Sequence, residues 1–200
     1  EKLIDSKTKA IFCESIGNPA ANVVDIPKMA KLAHKHNIPL IVDNTVPSSY
    51  LFRPIEHGAD IVIHSLTKYM GGHGTTIAGI IVDSGKFPWA KHKRKFNRLN
   101  SPDMSYHGVV FTEAAGEAAF IVAARTVALR NMGAAISPFN SFLILQGIES
   151  LAVRMDRHCE NAMKVANFLL KHTNVTWVNY PGLPSSPDYP LVKKLMKGKA

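Results

Sequence analysis

The sequence predicts an α/β fold built on a mostly parallel β-sheet that helices flank. Four short apolar runs occur between Ala10 and Val82, and each continues without alternation of apolar and polar residues. Such runs are typical of strands that are buried on both faces of a sheet. Helical or loop connections separate the runs, which indicates a mostly parallel arrangement.

The predicted strands and the first helix follow in chain order. The four runs predict strands at Ala10–Cys13, Ile38–Val42, Ile61–Ile63 and Ile77–Val82. After the first strand, Asp25 can cap a helix whose apolar residues recur at helical spacing, namely Ile26, Met29, Ala30 and Ala33. Ligands bind outside the carboxyl ends of strands in such sheets, so the polar residues that follow each run are candidate site residues.

The second half of the chain is mainly helical. Phe87–Gly108 is polar, basic and rich in turn residues, and its length favours a functional or partner-covering segment. Thr112–Arg130 is rich in alanine and predicts a helix. Ser137 and Pro138 predict the start of another helix, with the serine as cap and the proline in the first turn.

The last fifty residues predict the beginning of a smaller C-terminal α/β domain. Residues 152–171 carry an apolar stripe and predict a long amphipathic helix, and Val175–Val178 predicts a strand. We therefore expect residues 1–151 to belong to the large domain and residues 152–200 to open the smaller one.

The composition is ordinary for a globular protein of 200 residues, with 46% hydrophobic and 20% charged residues. No apolar run is long enough to span a bilayer and no signal peptide opens the chain, so no membrane partner is expected. Cys13 and Cys159 lack metal-ligand spacing and suit a reducing cytosol, which predicts a cytoplasmic location. The start at Glu1 and the stop at Ala200 favour an internal fragment of a longer protein.

The run His64–His73 carries the strongest chemical signal. It places Ser65, Thr67 and Lys68 directly after an apolar strand. An amine and two hydroxyls at one sheet edge are what a phosphate-carrying aldehyde cofactor needs, because the amine forms a Schiff base and the hydroxyls hold the anion. The two hydroxyls flank Leu66, so in an extended strand both point to the same side. Taken singly, the lysine could be a surface residue and the hydroxyls strand-end caps.

Two further polar residues follow the earlier strands. Asp43 could pair with a protonated ring nitrogen, and Asn18 could hydrogen-bond the phenolic oxygen of such a ring. The alternatives are a turn-capping aspartate and a simple Asn-Pro turn. Chain order brings both residues to the same sheet edge as Ser65–Lys68.

The other histidines and tyrosines near these motifs carry weaker signals. His64, His73 and His107 lack metal-ligand spacing, so structural roles are favoured and no metal site is expected. Tyr69 and Tyr106 are predicted to be packing residues.

The net charge of +9 raises the alternative of a basic, non-catalytic nucleic-acid-binding fragment. Much of the excess lies in Lys91–Arg98. No nucleic-acid-binding motif accompanies this run, so a solvated surface segment is favoured and no nucleic-acid partner is expected.

These motifs together resemble the Cys/Met-metabolism family of pyridoxal-phosphate enzymes. The resemblance covers nearly the whole chain and rests on five segments, Glu14–Pro19, Val42–Thr45, His64–His73, Ser137–Pro138 and Arg154–His158. It implies the aspartate-aminotransferase-like fold, known as fold type I, and pyridoxal 5'-phosphate as cofactor.

The resemblance also implies a role for each candidate residue. Lys68 matches the lysine that forms the Schiff base and acts in catalysis, and Asp43 matches the partner of the pyridine nitrogen. Ser65 and Thr67 match the phosphate-binding hydroxyls, and Asn18 matches the asparagine near the ring oxygen. The family's other site residues, including those from a neighbouring subunit, are expected outside residues 1–200.

Within the family, the sequence of these motifs is most similar to the O-acetylhomoserine sulfhydrylase branch. Gly71–Thr75, Asp83–Phe87 and a long insertion ending at Ser105–Glu113 are typical of it. This branch implies conversion of O-acetyl-L-homoserine and sulfide, or methanethiol, into homocysteine, or methionine, and acetate. A cystathionine γ-synthase and a methionine or cystathionine γ-lyase remain alternatives. The resemblance further implies a homotetramer of catalytic dimers.

Overall fold

The computed structural model describes residues 1–200 and is centred on a four-stranded sheet. The strands are β1 (Ile11–Glu14), β2 (Leu40–Asp43), β3 (Ile61–Ser65) and β4 (Gly79–Asp83), in that spatial order. β1 pairs with β2 and β2 with β3 in parallel, whereas β4 runs antiparallel to β3. The predicted mostly parallel sheet is confirmed.

β4 reverses direction because the connection from β3 contains no crossover helix. A parallel return needs a crossover that is usually helical, whereas residues 66–78 contain no helix. The strand begins at Gly79, two residues after the predicted Ile77, whose side chain is 89% exposed.

Helix α1 (Ile26–Lys35) forms as predicted and covers one face of the sheet. The Asp25 carboxylate caps it by accepting a hydrogen bond from Lys28 N at 3.1 Å. Its buried side chains pack in the largest core cluster together with β1, β2 and helix α9 (Tyr189–Leu195). Val192 and Met196 from the end of the chain therefore share a core with the first helix.

The basic segment before the helical region packs an aromatic cluster against the sheet and leaves most of its charges in solvent. It contains helix α3 (Asn97–Asn100) and 3₁₀ turns at Trp89–His92 and Met104–Tyr106. In this cluster Phe87 and Trp89 are buried beside Ile61, and the partly buried rings of Phe96 and Phe120 pack against them. The segment is thus a surface element with an apolar underside.

The alanine-rich region is helical, as predicted, but interrupted. Helices α4 (Phe111–Ala114) and α5 (Ala119–Ala123) flank a 3₁₀ turn at Gly116–Ala118, and a π-helical segment at Ala124–Leu129 leads into α6 (Arg130–Met132). Gly116 has a φ of +53°, a left-handed conformation that ends a helix and that glycine adopts readily.

Two longer helices follow. Helix α7 (Pro138–Glu149) begins as predicted, since Ser137 Oγ accepts a hydrogen bond from Asn140 N at 3.1 Å. Helix α8 (Leu151–Leu169) buries one side through Leu151, Met155, Cys159 and Ala166. One short helix, α2 (Ser48–Leu51), and a 3₁₀ turn at Pro54–His57 lie between β2 and β3. No helix of the structure is both long and apolar enough to cross a membrane.

The predicted strand at Val175–Val178 is wrong. These residues are in no strand and pair with no neighbour, and the Trp177 side chain is 76% exposed. An apolar, β-branched segment becomes a strand only where another strand offers its backbone groups, and none lies beside this one. The predicted domain boundary near Leu151 stays a prediction.

Candidate active site

A cavity of about 720 Å³ opens at the carboxyl ends of the three parallel strands. All five residues that the sequence singles out line it, namely Asn18, Asp43, Ser65, Thr67 and Lys68. The other lining residues include Glu14, Thr45, Tyr69, Gly72, Arg154 and His158. The position agrees with the rule that ligands bind beyond the carboxyl ends of parallel strands.

Asp43 ends β2 and is held at the cavity by its neighbour. Thr45 donates to Asp43 Oδ1 through its backbone N at 3.0 Å and through Oγ1 at 2.6 Å. Both donors bind the same carboxylate oxygen, which leaves Oδ2 for a donor in the cavity. The same Thr45 Oγ1 accepts a hydrogen bond from Ser65 N at 2.8 Å. The ends of β2 and β3 are thereby joined through one side chain.

A buried polar network supports the end of β2 from below. Ser15 and Asn44 are fully buried, and Ser15 Oγ donates to Asn44 Oδ1 at 2.8 Å. Asn44 Nδ2 donates to the backbone oxygens of Ser48 and Phe52, at 3.0 and 2.8 Å. Because all these groups are satisfied, the network orders the backbone on which Asp43 stands.

Lys68 lies in a tight turn after β3, and its side chain is exposed. The strand ends at Ser65, and Lys68 N donates to Ser65 O at 3.3 Å. The expectation that Ser65 and Thr67 share one side of an extended strand is therefore wrong, since Thr67 belongs to the turn. The turn brings both hydroxyls to the cavity instead. Thr67 Oγ1 also accepts from Ala78 N at 3.0 Å and donates to Ala78 O at 3.3 Å, which ties the turn to the residue before β4.

The glycines after Lys68 allow backbone and an arginine side chain to approach closely. A Cβ on Gly72 would lie 2.6 Å from Arg154 Cζ, and its φ is +73°. A Cβ on Gly147 of α7 would lie 2.0 Å from Gly71 O. Helix α7 therefore touches the Lys68 turn directly, with no room for a side chain between them.

Arg154 is the main site residue to which the sequence assigned no role. Its guanidinium donates to Tyr69 O at 2.8 Å and to Gly147 O at 2.7 Å, and its Nε donates to Ser150 Oγ at 3.1 Å. It thus clamps the Lys68 turn to the junction of α7 and α8. The only available signal was its place in the segment Arg154–His158, which resembles the family.

Other residues take up positions at the rim of the cavity. Asn18 is exposed, and its backbone N donates to Glu14 Oε2 at 3.0 Å. Tyr69, expected to be a packing residue, lines the cavity with its ring centroid 5.3 Å from that of His158. Tyr106 packs near Phe111, away from this site.

The weaker histidine candidates have structural positions. His64 is buried, its Nδ1 has no hydrogen-bond partner, and burial lowers its pKa. The His73 Nδ1 lies 2.7 Å from Gly71 O, within the glycine turn. His107 does not line the cavity. No group of three or more histidine, cysteine or acidic residues could hold a metal ion.

The chemistry of the lining residues fits pyridoxal phosphate. The cavity presents one primary amine on Lys68, two hydroxyls on Ser65 and Thr67, and one carboxylate on Asp43. An aldehyde, a phosphate and a pyridine nitrogen need groups of these three kinds. The volume lies in the range of small-molecule sites.

A family model described as Cys/Met metabolism PLP-dependent enzyme matches residues 1–200. The chain is 53% identical to homocysteine synthase of Schizosaccharomyces pombe, over 97% of this chain and 46% of that protein. It is 50% identical to O-acetyl-L-homoserine sulfhydrylase of Leptospira meyeri, over 96% of this chain and 45% of that protein.

A solved structure is also similar. It is described as an O-acetylhomoserine (thiol)-lyase of Campylobacter jejuni and contains a pyridoxyl-lysine phosphate. The TM-score is 0.91 and the sequence identity 41%, over 98% of this chain and 48% of that one. The chain spans about half the length of the curated relatives it matches.

Proposed function

Because the chain belongs to the family of Cys/Met metabolism PLP-dependent enzymes, we propose that the protein replaces the acetoxy group of O-acetyl-L-homoserine with sulfur. With sulfide, the products are homocysteine and acetate; with methanethiol, they are methionine and acetate. The convergence of Lys68, Asp43, Ser65 and Thr67 on one cavity carries this proposal.

Each cavity residue has a defined task in this reaction. When bound, pyridoxal phosphate supplies an aldehyde that condenses with amines and a ring that accepts electrons from a breaking Cα–H bond. Lys68 would hold it covalently through Nζ, and Ser65 and Thr67 would donate hydrogen bonds to its phosphate, for which Thr67 would exchange its 3.3 Å bond to Ala78 O. Asp43 Oδ2 would face the ring nitrogen, and Asn18 at the rim would reach the ring oxygen.

Lys68 would also move the protons. Once the amino group of the substrate has displaced it, the Lys68 amine is free to take the proton from substrate Cα and to transfer a proton at Cβ. Acetate then leaves from Cγ, and sulfide adds to the same carbon. The exposed position of Lys68 in the turn suits this double task, because the chain does not bury its amine.

The alternatives share the cofactor and differ in the fate of the substrate. A γ-lyase would release an α-keto acid and ammonia, and a cystathionine γ-synthase would use cysteine as the sulfur donor. The names of the relatives, homocysteine synthase and O-acetyl-L-homoserine sulfhydrylase, favour replacement by sulfide. No observation favours a nucleic-acid-binding function for the basic run Lys91–Arg98, which packs its aromatic ring inward and leaves most of its charges in solvent.

We further propose a cytoplasmic homotetramer of catalytic dimers. An exposed apolar face on helix α7 supports assembly, because large contiguous apolar patches mark interaction surfaces. We also retain the division into a large domain of residues 1–151 and a smaller domain opened by residues 152–200.

Reductive labelling tests the proposed function. In the intact protein loaded with pyridoxal phosphate, borohydride should attach the cofactor to Lys68, as shown by mass spectrometry of the labelled peptide. Lys68→Ala should lower homocysteine formation by about 10⁴-fold or more, since it removes both the covalent link and the proton carrier. The exposed Lys86, outside the cavity, provides the control Lys86→Ala, which should keep its activity. A label on another lysine, or an active Lys68→Ala variant, would contradict the proposal.

A further inference from the structure

Thr45 makes hydrogen bonds that a simple turn residue does not need. The last backbone hydrogen bond between β2 and β3 at the cavity runs from Asn44 N to Ile63 O at 2.9 Å. Beyond it, the next donor of β3, Ser65 N, binds the Thr45 hydroxyl at 2.8 Å. A side chain thus continues the contact between the two strands at the point where both carry site residues.

The direction of the hydrogen bonds at Thr45 Oγ1 follows from the chemistry of its partners. A backbone N–H can only donate, so Oγ1 must accept from Ser65 N. Its single proton is then free for Asp43 Oδ1, which lies 2.6 Å away. A hydrogen bond to a carboxylate is charge-assisted and stronger than a neutral one. The hydroxyl is therefore locked between a donor and an acceptor.

This arrangement restricts the Asp43 carboxylate to one orientation. Oδ1 receives two donors from Thr45, so rotation about the last side-chain bond would break both bonds. Oδ2 then points away from Thr45, on a residue that lines the cavity. Ser65, which also lines the cavity, is held through its backbone N by Thr45 Oγ1.

We propose that Thr45 is a positioning residue, which orients the Asp43 carboxylate toward the ring nitrogen and fixes its distance from the phosphate-binding Ser65. The inference rests on the proposed function, because that function assigns Asp43 to the ring nitrogen and Ser65 to the phosphate. Thr45 acts through its hydroxyl and makes no contact with the substrate in this scheme.

Two substitutions at this position separate the hydroxyl from the rest of the side chain, and a third at another threonine is the control. Thr45→Val keeps the shape and removes both hydrogen bonds of the hydroxyl. Thr45→Ser keeps the hydroxyl and removes the methyl group. Thr126→Val is a matched control, since Thr126 is also half-buried and donates to Val122 O at 2.8 Å, but does not line the cavity.

The measurement is cofactor binding in the intact protein. Titration of the apo form with pyridoxal phosphate should give a Kd about tenfold to a hundredfold higher for Thr45→Val, the change expected for losing a hydrogen bond to a charged group. The visible circular dichroism of the bound cofactor should change, and kcat should fall with little change in KM. Thr45→Ser and Thr126→Val should bind like the unmodified protein.

Two results would overturn the proposal. One is a Thr45→Val variant with an unchanged Kd and spectrum. The other is a Thr45→Ser variant that loses as much affinity as Thr45→Val, because packing of the methyl group would then be responsible. If Thr45→Val does not fold, Thr45→Cys replaces it; its weaker donor should give an intermediate Kd, and an unchanged Kd would overturn the proposal. Failure of the unmodified protein to bind the cofactor would instead refute the proposed function, so the two failures are distinguishable.

Discussion

The buried residue His64, on strand β3 beside the site, makes the free energy of unfolding depend on pH. Its side chain is 4% exposed, and its Nδ1 finds no hydrogen-bond partner. Burial lowers its pKa below the ordinary value of 6.5, while the nearby Asp43 carboxylate acts in the opposite direction. The neutral ring is therefore the form that the folded protein accommodates.

The sign of the resulting pH dependence follows from proton binding. When the pH falls through 6.5, unfolded His64 takes up a proton, whereas the folded residue does so only at lower pH. The unfolded state then binds more protons, so the free energy of unfolding decreases as the pH falls. We predict that this decrease is smaller in His64→Asn, as measured by urea unfolding between about pH 5 and 8. Parallel curves for the two proteins would contradict the prediction.

At the scale of elements, the contact between α7 and the Lys68 turn depends on a glycine. Gly147 approaches Gly71 O so closely that an added Cβ would lie 2.0 Å from it. In an isolated helix, Gly→Ala stabilises by up to about 1 kcal/mol, but forced overpacking costs about 1 to 3 kcal/mol. The clash therefore outweighs the gain in helix propensity.

We predict that Gly147→Ala lowers both stability and activity. The free energy of unfolding should fall by about 1 to 2 kcal/mol, and homocysteine formation should fall because the turn that carries Lys68 has to move. Gly79→Ala is the control, since its Cβ would lie 3.6 Å from His64 O, an ordinary contact. Equal effects of the two substitutions, measured by urea unfolding and by turnover, would argue against a close contact.

At the scale of the whole molecule, the outer face of α7 is apolar and open. Its exposed large apolar side chains recur every three residues, and the first three are Phe139, Phe142 and Leu145, at 68%, 55% and 59% exposure. The helix is thus apolar on the face opposite the site as well as on the face that contacts the Lys68 turn. The proposed homo-oligomer would cover this surface.

We predict that Phe142→Asp lowers the molar mass of the assembly. A charge placed in an apolar interface has to be desolvated, which weakens association. Light scattering after size exclusion measures the mass of the variant and of the intact protein. Met104→Asp is the control, because Met104 is 84% exposed and lies outside α7. An unchanged mass in Phe142→Asp would contradict the role of this face in assembly.

The sequence by itself determined the strands, helix starts and site residues that depend on residues close together in the chain. Apolar runs predicted β1 to β4, Asp25 and Ser137 predicted two helix starts, and the polar residues after the strands predicted the lining of the cavity. Each of these signals is local, or follows from the rule that parallel strands end at one edge. The family likewise follows from the motifs.

Only the tertiary structure decided the hydrogen bonds and strand pairings that join segments far apart in the chain. Arg154 reaches Tyr69 O across 85 positions, and Thr45 binds Ser65 N across 20. The strand predicted at Val175–Val178 did not form, because a strand requires a partner that no local pattern can supply. Side-chain hydrogen bonds and strand pairing are set by distances between folded elements. The site residues Ser65, Thr67 and Lys68 can therefore be recognised in the sequence, whereas the turn that carries two of them and the groups that hold it in place cannot.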